Sequence, residues 1–263
     1  MHSPLPAADR AEIAGAVVEI RSIGPRRDIV QRGDRPEHIH VVLSGMACCY
    51  RLLQDGGRQI VAFLLPGDLC DLQFTGRMEY SVATLNTCEV ALLSREAFQE
   101  LAQRRGALAL ALLRVNAIEA STLREWLVAM GHGPAERQMA HLFCELHARF
   151  SSLGLTNTRS CSLPLTQNDL ADTLGLSLVH ANRTIMQLRN RGLITWKGGV
   201  LTILDLEALR NFAEFSPDYL QVLPPSFQPK DSSPGIVVRA PYRGSWGPQL
   251  LPHSGGETVP PIA

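Results

Sequence analysis

The stretch that decides the fold is LTQNDLADTLGLSLVHANRTIMQLRNRGLIT, residues 165–195. Leu170 and Leu174 are four residues apart, so they lie on one face of a short helix. Ala171 is small, which lets a second helix cross close to the first. Gly175 follows where a tight turn needs a residue without a Cβ atom. The pattern predicts two short helices joined by a turn.

The second helix of this pair has an apolar face and a basic face. Ser177 is a favourable N-cap, and Ala181, Ile185 and Leu188 then recur at spacings of four and three. The other face carries His180, Asn182, Arg183, Arg189 and Arg191. A purely structural hairpin would show the same apolar spacing, but the small residue, the glycine, the cap and the basic face together favour a helix-turn-helix. We therefore expect duplex DNA as the partner.

The distribution of charge along the chain indicates one segment that attracts nucleic acid. The 263 residues include 25 basic and 25 acidic side chains, so the formal net charge is zero. Between residues 166 and 199, four basic residues stand against two acidic ones. A local surplus of positive charge is typical of a surface that contacts phosphates.

The cysteines and the apolar runs indicate in which cellular compartment the protein is expected. Six cysteines occur, without a C-x-x-C pair: Cys48, Cys49, Cys70, Cys88, Cys144 and Cys161. Most lie in apolar patterns, so we expect buried, reduced thiols in the cytoplasm, with a redox- or metal-sensing cysteine as the alternative. We find no signal peptide and no apolar run of membrane-spanning length, so no membrane partner is expected.

Short apolar runs separated by turn dipeptides lie between residues 39 and 93. The predicted strands are Ile39–Leu43, Met46–Leu53, Gln59–Leu65, Tyr80–Leu85 and Cys88–Leu93. Asp-Gly and Pro-Gly dipeptides between such runs predict tight turns. Closely spaced strands of this kind predict an antiparallel β-roll, which follows a short helix over residues 8–18.

A long helix is predicted over residues 95–130. Its apolar residues recur mostly every three or four positions: Leu101, Leu108, Leu112, Val115, Ile118, Leu123, Trp126 and Met130. Such a helix packs either on its own domain or on a second copy of itself, and its length between two domains favours the second interpretation. Residues 131–134 contain two glycines and a proline, which predict a hinge.

The remaining sequence predicts a winged domain and a tail. A helix over residues 135–150 leads to the helix-turn-helix, a hairpin or wing follows over residues 193–204, and a closing helix spans residues 205–215. From residue 224 onward, proline, glycine and serine dominate. The predicted α+β organisation is a β-roll over 1–94, a dimerisation helix and hinge over 95–133, a winged helix-turn-helix over 134–216 and a flexible tail over 217–263.

This order of parts resembles the Crp/Fnr family of bacterial transcription regulators. The resemblance covers residues 20–215 and is carried by Ile39–Gly45, Asp55–Arg58, Phe63–Asp68 and residues 165–194. It implies a sensory roll similar to cyclic nucleotide-binding domains and a homodimer that binds a two-fold symmetric DNA site. It also implies RNA polymerase as a partner and no enzymatic activity.

The resemblance implies DNA contacts on both helices of the pair and on the wing. The predicted contacts are Thr166, Gln167, Ser177, Leu178, Val179, His180, Asn182, Arg183, Gln187 and Lys197. Arg183 is expected to bind guanine through two hydrogen bonds, and Lys197 to contact phosphate. Val179 stands where the family often has glutamate. Because valine cannot accept a hydrogen bond from cytosine, we expect a different base preference.

The same resemblance points to an effector pocket in the roll. The candidate pocket residues are Asp71, Leu72, Tyr80 and Ser81. The arginine that binds phosphate in cyclic nucleotide binders is missing, so we do not expect a cyclic nucleotide. The iron–sulfur branch has a cysteine cluster near its N-terminus, whereas the first cysteine here is Cys48, so we do not expect that cofactor either. The sequence does not identify the effector.

A cupin-like metal enzyme is the alternative for the β-roll. His38 and His40 alternate on one predicted strand, so both imidazoles point the same way. A cupin also needs a glutamate a few residues later, where Ser44 and Gly45 stand, and a third histidine on a following strand. We therefore predict surface histidines and no metal site; haem ligation by these histidines or a cysteine stays open.

Overall fold

The structure is a computed structural model that describes residues 5–70, 76–157 and 159–221. The predicted pocket residues Asp71 and Leu72 lie outside the described residues, as does the predicted tail from residue 222 onward. The described part of the chain contains a β-roll, a helical linker and a winged domain.

The N-terminal half folds into the predicted antiparallel β-roll behind a short helix, α1 (Ala7–Gly15). Its strands are β1 (Val17–Ile23), β2 (Asp28–Val30), β3 (His38–Ser44), β4 (Ala47–Leu52), β5 (Arg58–Leu64), β6 (Ser81–Thr84) and β7 (Cys88–Ser94). They form two sheets with the orders β1-β7-β3 and β2-β6-β4-β5. The five predicted strands correspond to β3–β7, whereas β1 and β2 were not predicted. Most of β1 is exposed and β2 has only three residues, so neither has a clear apolar alternation.

The prediction of one helix from residue 95 to residue 130 is wrong at its N-terminal end. Two helices, α2 (Arg95–Arg104) and α3 (Gly106–His132), meet at Arg105, whose backbone is extended. The Arg105 guanidinium binds the carboxylates of Glu12 and Asp9 on α1. The following residue is glycine, a poor helix former, so the helix breaks here at low cost.

Helix α3 has two apolar faces. Leu108, Leu112, Ile118 and Trp126 are buried within the chain, so these residues of the predicted periodicity pack on their own domain. The opposite side exposes further large apolar residues: Leu110, Leu113, Leu123, Leu127, Val128 and Met130. The predicted series therefore mixed an internal face with an exposed one.

Helix α3 is also long and apolar enough to cross a bilayer by length and composition, with a mean hydropathy of 1.3 over 18 residues. The prediction of no apolar run of membrane-spanning length is therefore wrong for this helix. The apolar segment of α3 is interrupted by Arg114 and Glu119. The segment reaches this length because apolar residues, small and large, cover both faces of the helix.

The C-terminal part forms the winged domain. Its elements are α4 (Ala135–Ser152), β8 (Thr156–Asn157), β9 (Ser160–Ser162), α5 (Gln167–Leu174), α6 (Leu178–Asn190), β10 (Ile194–Lys197), β11 (Val200–Ile203) and α7 (Leu206–Ala213). The sheet order β10-β11-β9-β8 contains the predicted wing, β10–β11. A 3-10 helix at Pro217–Leu220 follows, and Leu220 is buried. The chain thus stays packed beyond the predicted domain end at residue 216.

One apolar core runs from the roll into the winged domain. Phe63 of β5 makes an edge-on ring contact with Trp126 of α3, and both belong to the cluster that includes Phe143 of α4. Trp126 Nε1 donates to Glu145 Oε2 at 2.7 Å, and the hydroxyl of Tyr219 donates to the same oxygen at 2.9 Å. Glu145 thereby connects α3, α4 and the 3-10 helix.

His141 on α4 is buried between aromatic rings, with ring centres 5.1 Å from Phe215 and 6.1 Å from Tyr219. Burial lowers the pKa of His141 to about 4. In the unfolded chain its pKa is near 6.5, so the unfolded state binds more protons below that pH, and stability falls as the pH drops from 6.5 towards 4.

We predict that His141→Gln flattens the pH dependence of the free energy of unfolding by about 3 kcal/mol between pH 7 and pH 4, measured by urea unfolding. Replacement of the exposed His132 by Gln is the control and should leave the profile unchanged. A His141→Gln variant that keeps the wild-type slope would show that His141 does not stay neutral in the folded protein.

Candidate nucleic-acid interface

Local hydrogen bonds define both ends of the turn in the helix-turn-helix. The side chain of the N-cap Thr166 accepts from the Asp169 backbone N–H, and the Asp169 carboxylate accepts from the Thr166 backbone N–H at 2.7 Å. Helix α5 ends at Gly175, which has the left-handed φ of 64°. Ser177 Oγ accepts from the His180 backbone N–H at 3.2 Å and caps α6. The predicted roles of Gly175 and Ser177 in the turn are confirmed.

Helix α6 buries one face and exposes the other. Ala181, Ile185 and Leu188 are buried, as their spacing predicts. We call the opposite side the recognition face; it comprises Leu178, Val179, Asn182, Arg183 and Met186. Asn182 is half-buried and the others are exposed, Val179 by 69% and Met186 by 58%. Sequence reasoning missed Met186, although it lies three residues after Arg183 and seven after Val179.

The other predicted contacts surround this face or support it. Thr166 and Gln167 are exposed at the N-terminal end of α5, His180 is exposed, and Gln187 is half-buried. Ser177 is exposed, but its hydroxyl is engaged in the cap. Lys197 is exposed at the end of β10, in the wing. Arg191, predicted on the basic face, instead packs its guanidinium on the ring of Phe212 at 5.0 Å.

A buried carboxylate lies in the first turn of α5. Asp169 is fully buried, and its oxygens accept from Arg26 at 2.7 and 2.8 Å and from Arg58 at 2.7 Å. Burial alone would raise the pKa of Asp169, but the hydrogen bonds from Arg26 and Thr166 outweigh it, and the pKa lies below its usual value. Both arginines belong to the roll, so the first helix of the pair is tied to the other domain.

A small cavity lies between the roll, α3 and α4. Its volume is about 150 Å³, and its polar lining includes Tyr80, Asp68, Glu119 and Arg149. Arg149 donates to Asp68 Oδ2 at 2.8 Å and to the Phe63 carbonyl at 2.9 Å. Burial, with a smaller contribution from Asp68, raises the pKa of Glu119. Of the described candidates, Tyr80 lines this cavity, whereas Ser81 Oγ accepts from the Arg32 backbone N–H.

Comparison with known proteins agrees with this architecture. The cyclic nucleotide-binding domain matches residues 20–105, and the Crp-like helix-turn-helix domain matches residues 137–212. The nitrogen fixation regulation protein FixK of Bradyrhizobium diazoefficiens is 32% identical over 168 residues, which cover 62% of this chain and 69% of that protein. The chain belongs to the Crp/Fnr family of transcription regulators. It is accordingly a DNA-binding transcription regulator.

Two further members of the Crp/Fnr family extend the comparison. The transcriptional activator protein FnrL of Cereibacter sphaeroides is 28% identical over 181 residues, which cover 68% of this chain and 73% of that protein. The solved structure of FixK2 from Bradyrhizobium japonicum superimposes with a TM-score of 0.68 at 25% identity, covering 74% of this chain and 96% of that chain. The predicted resemblance and fold class are confirmed.

The small cavity does not fit the cyclic nucleotide that the name of the matched domain suggests; Tyr80 also lines a larger, open cavity of about 830 Å³ whose lining contains several arginines. The cavity of about 150 Å³ is well below the ~300 Å³ at which ligand pockets of this kind begin. Its acidic groups are Asp68 and Glu119, and its arginine, Arg149, already binds Asp68. In this small cavity, an anionic phosphate would therefore meet carboxylates and, among the described lining residues, no arginine that is free of a carboxylate.

The alternative of a metal enzyme finds no support in the comparisons, because the relatives named above are transcription regulators. Within residues 5–70, 76–157 and 159–221, no group of three or more histidine, cysteine, aspartate or glutamate side chains is arranged to hold a metal ion. His38 is half-buried and His40 is buried on β3, so the expectation of two surface histidines is wrong for His40. Both histidines line one open cavity, together with Leu92 of the neighbouring strand β7.

Proposed function

We propose that this protein acts as a homodimer that binds a two-fold symmetric DNA site, with one α6 helix in the major groove of each half-site. The observation that carries the proposal is the recognition face, whose exposed residues lie on a helix that buries its other side. Half-sites about one helical turn apart fit such a dimer. A regulator of this kind works in the cytoplasm together with RNA polymerase.

The residues of the recognition face suggest which bases are contacted. Arg183 carries the guanidinium that fits two acceptors of guanine. Val179 and Met186 are exposed and apolar, so they suit the C5-methyl group of thymine and not a hydrogen-bonding base edge. We therefore expect half-sites that combine a guanine with neighbouring thymines.

The exposed side of α3 supports the dimer. Leu113, Ala120 and Leu127 recur every seven residues, and Leu110, Leu123 and Met130 lie three or four residues from them. A seven-residue apolar repeat is the pattern of two helices that pack along each other. We assign this stripe to a second copy of α3.

The β-roll supplies the sensory part of the proposal. A signal that changes how the roll packs on α3 would shift the population of dimers whose α6 helices are correctly spaced.

Selection of binding sites from a random duplex library tests the function directly. The purified full chain, without added ligand, should yield a two-fold symmetric consensus with half-sites about one helical turn apart. Salt-sensitive binding without any consensus would contradict sequence-specific recognition by the protein as purified.

Substitutions at Arg183 and Lys197 should affect DNA binding in different ways. Arg183→Ala should cost about 1–3 kcal/mol of discrimination at one base pair, because a pair of base-specific hydrogen bonds is lost. Lys197→Ala should weaken binding to all sequences alike, because a phosphate contact carries no sequence information. Fluorescence anisotropy with the selected site and single-base variants measures both. Wild-type affinity and discrimination in Arg183→Ala would show that the register assigned to α6 is wrong.

Leu127→Glu should convert the dimer to a monomer, because a charge would be buried within the apolar stripe. Sedimentation equilibrium at micromolar concentration measures the effect. Val18→Glu is the control, since Val18 is exposed by 61% on β1, outside α3. A Leu127→Glu chain that stays dimeric would place the dimer interface elsewhere.

A further inference from the structure

The roll touches the helix-turn-helix through a defined set of polar contacts, which we call the roll–helix contact. Arg26 donates to both carboxylate oxygens of Asp169, at 2.7 and 2.8 Å, and Arg58 donates to Asp169 at 2.7 Å and to Asp172 at 2.8 Å. Gln59 donates to the carbonyl of Thr173 at 3.0 Å. Residues 169, 172 and 173 share one face of α5, so the roll holds this face along its length.

The Arg26 side of the contact is built on a turn that does not favour arginine. Arg26 has a φ of 59°, a left-handed conformation that is strained for a non-glycine residue. The turn is held by the buried Thr84, whose carbonyl accepts from the Arg26 backbone N–H and whose hydroxyl donates to the Gly24 carbonyl. A strained backbone that persists with such support indicates that the position of this guanidinium matters.

The roll–helix contact leaves the DNA-facing residues free. Thr166 and Gln167 at the start of α5 are exposed, as are Val179 and Arg183 on the recognition face. The contact buries Asp169 and Thr173 of α5, whereas these four residues keep their exposure to solvent. The arrangement therefore presents α6 to DNA and does not mask it.

We propose that Arg26 and Arg58 are positioning residues for DNA recognition: they fix α5 on the roll and thereby set the orientation in which the two α6 helices of the dimer meet their half-sites. This inference rests on the proposed function. Without the contact, the winged domain would be held by the α3–α4 connection and the apolar core, and fewer molecules would have both α6 helices at the correct spacing. The apparent affinity falls in proportion to that fraction.

The test compares full-length variants on the selected duplex and on a duplex with one extra base pair between the half-sites. Arg26→Gly removes the guanidinium, and glycine accepts the left-handed backbone. Arg58→Gln removes the ion pairs of Arg58 with Asp169 and Asp172, whereas Asp172→Asn removes only the second of them. Neither change alters the residues of the Thr166–Asp169 cap. Arg51→Gln is the matched control, because Arg51 is exposed on β4, in the same roll, and takes no part in the contact. Thermal unfolding is measured for every variant to confirm the fold.

We expect the dissociation constant for the selected site to rise about tenfold in Arg26→Gly and Arg58→Gln, with loss of discrimination between the two spacings. The Arg51→Gln control should change less than twofold and keep the discrimination. Asp172→Asn distinguishes a positioning role from a purely electrostatic effect on DNA affinity. The substitution removes a negative charge near the DNA. If only electrostatics mattered, the variant would bind more tightly and keep its preference for the selected spacing. A positioning role predicts weaker binding with a lost spacing preference.

Other outcomes would overturn the inference. Folded variants that bind as the wild type does, or Asp172→Asn binding more tightly with its spacing preference kept, would show that the contact does not position α6. Tighter binding by Arg26→Gly and Arg58→Gln would mean that the contact holds the winged domain in an orientation that disfavours DNA binding. If the wild-type chain itself selects no site, the proposed function fails, and the inference fails with it.

Discussion

The buried carboxylate of Asp169 is the constraint on which the arrangement of the two halves depends. A carboxylate removed from water costs several kcal/mol unless charged and hydrogen-bonding partners surround it. Thr166 supplies the local partner, and the roll supplies Arg26 and Arg58. The cap of α5 is therefore completed by another domain. This dependence explains why a helix of eight residues can be held firmly in place, although its own sequence gives it little stability.

The local determinants of the fold were predictable. The spacing of Leu170 and Leu174, the glycine at 175 and the serine at 177 specify the helix-turn-helix within about ten residues, and turn dipeptides mark the strands β3–β7. Arg26 and Arg58, by contrast, lie 143 and 111 residues from Asp169, and no period in the sequence connects them. Met186 has the correct helical spacing, but an uncharged side chain gave no sign that it faces outward.

Helix α3 shows why periodicity alone did not separate two kinds of packing. One side of the helix is buried against other elements of the same chain. The other side is exposed and carries a seven-residue repeat. The two stripes overlap along the same helix, so a search for three- and four-residue steps selects members of both. Only the burial of each residue assigns it to the interior or to the stripe that we give to a second copy.

The apolar core shared by Phe63, Trp126 and Phe143 gives the molecule a particular thermodynamic character. Two domains with separate cores can melt independently, whereas elements that share one core lose their packing together. The roll and the winged domain are therefore expected to unfold as a single cooperative unit. Sequence changes deep in the roll would then reduce the amount of regulator in the cell through lower stability and faster degradation, without altering any atom that touches DNA.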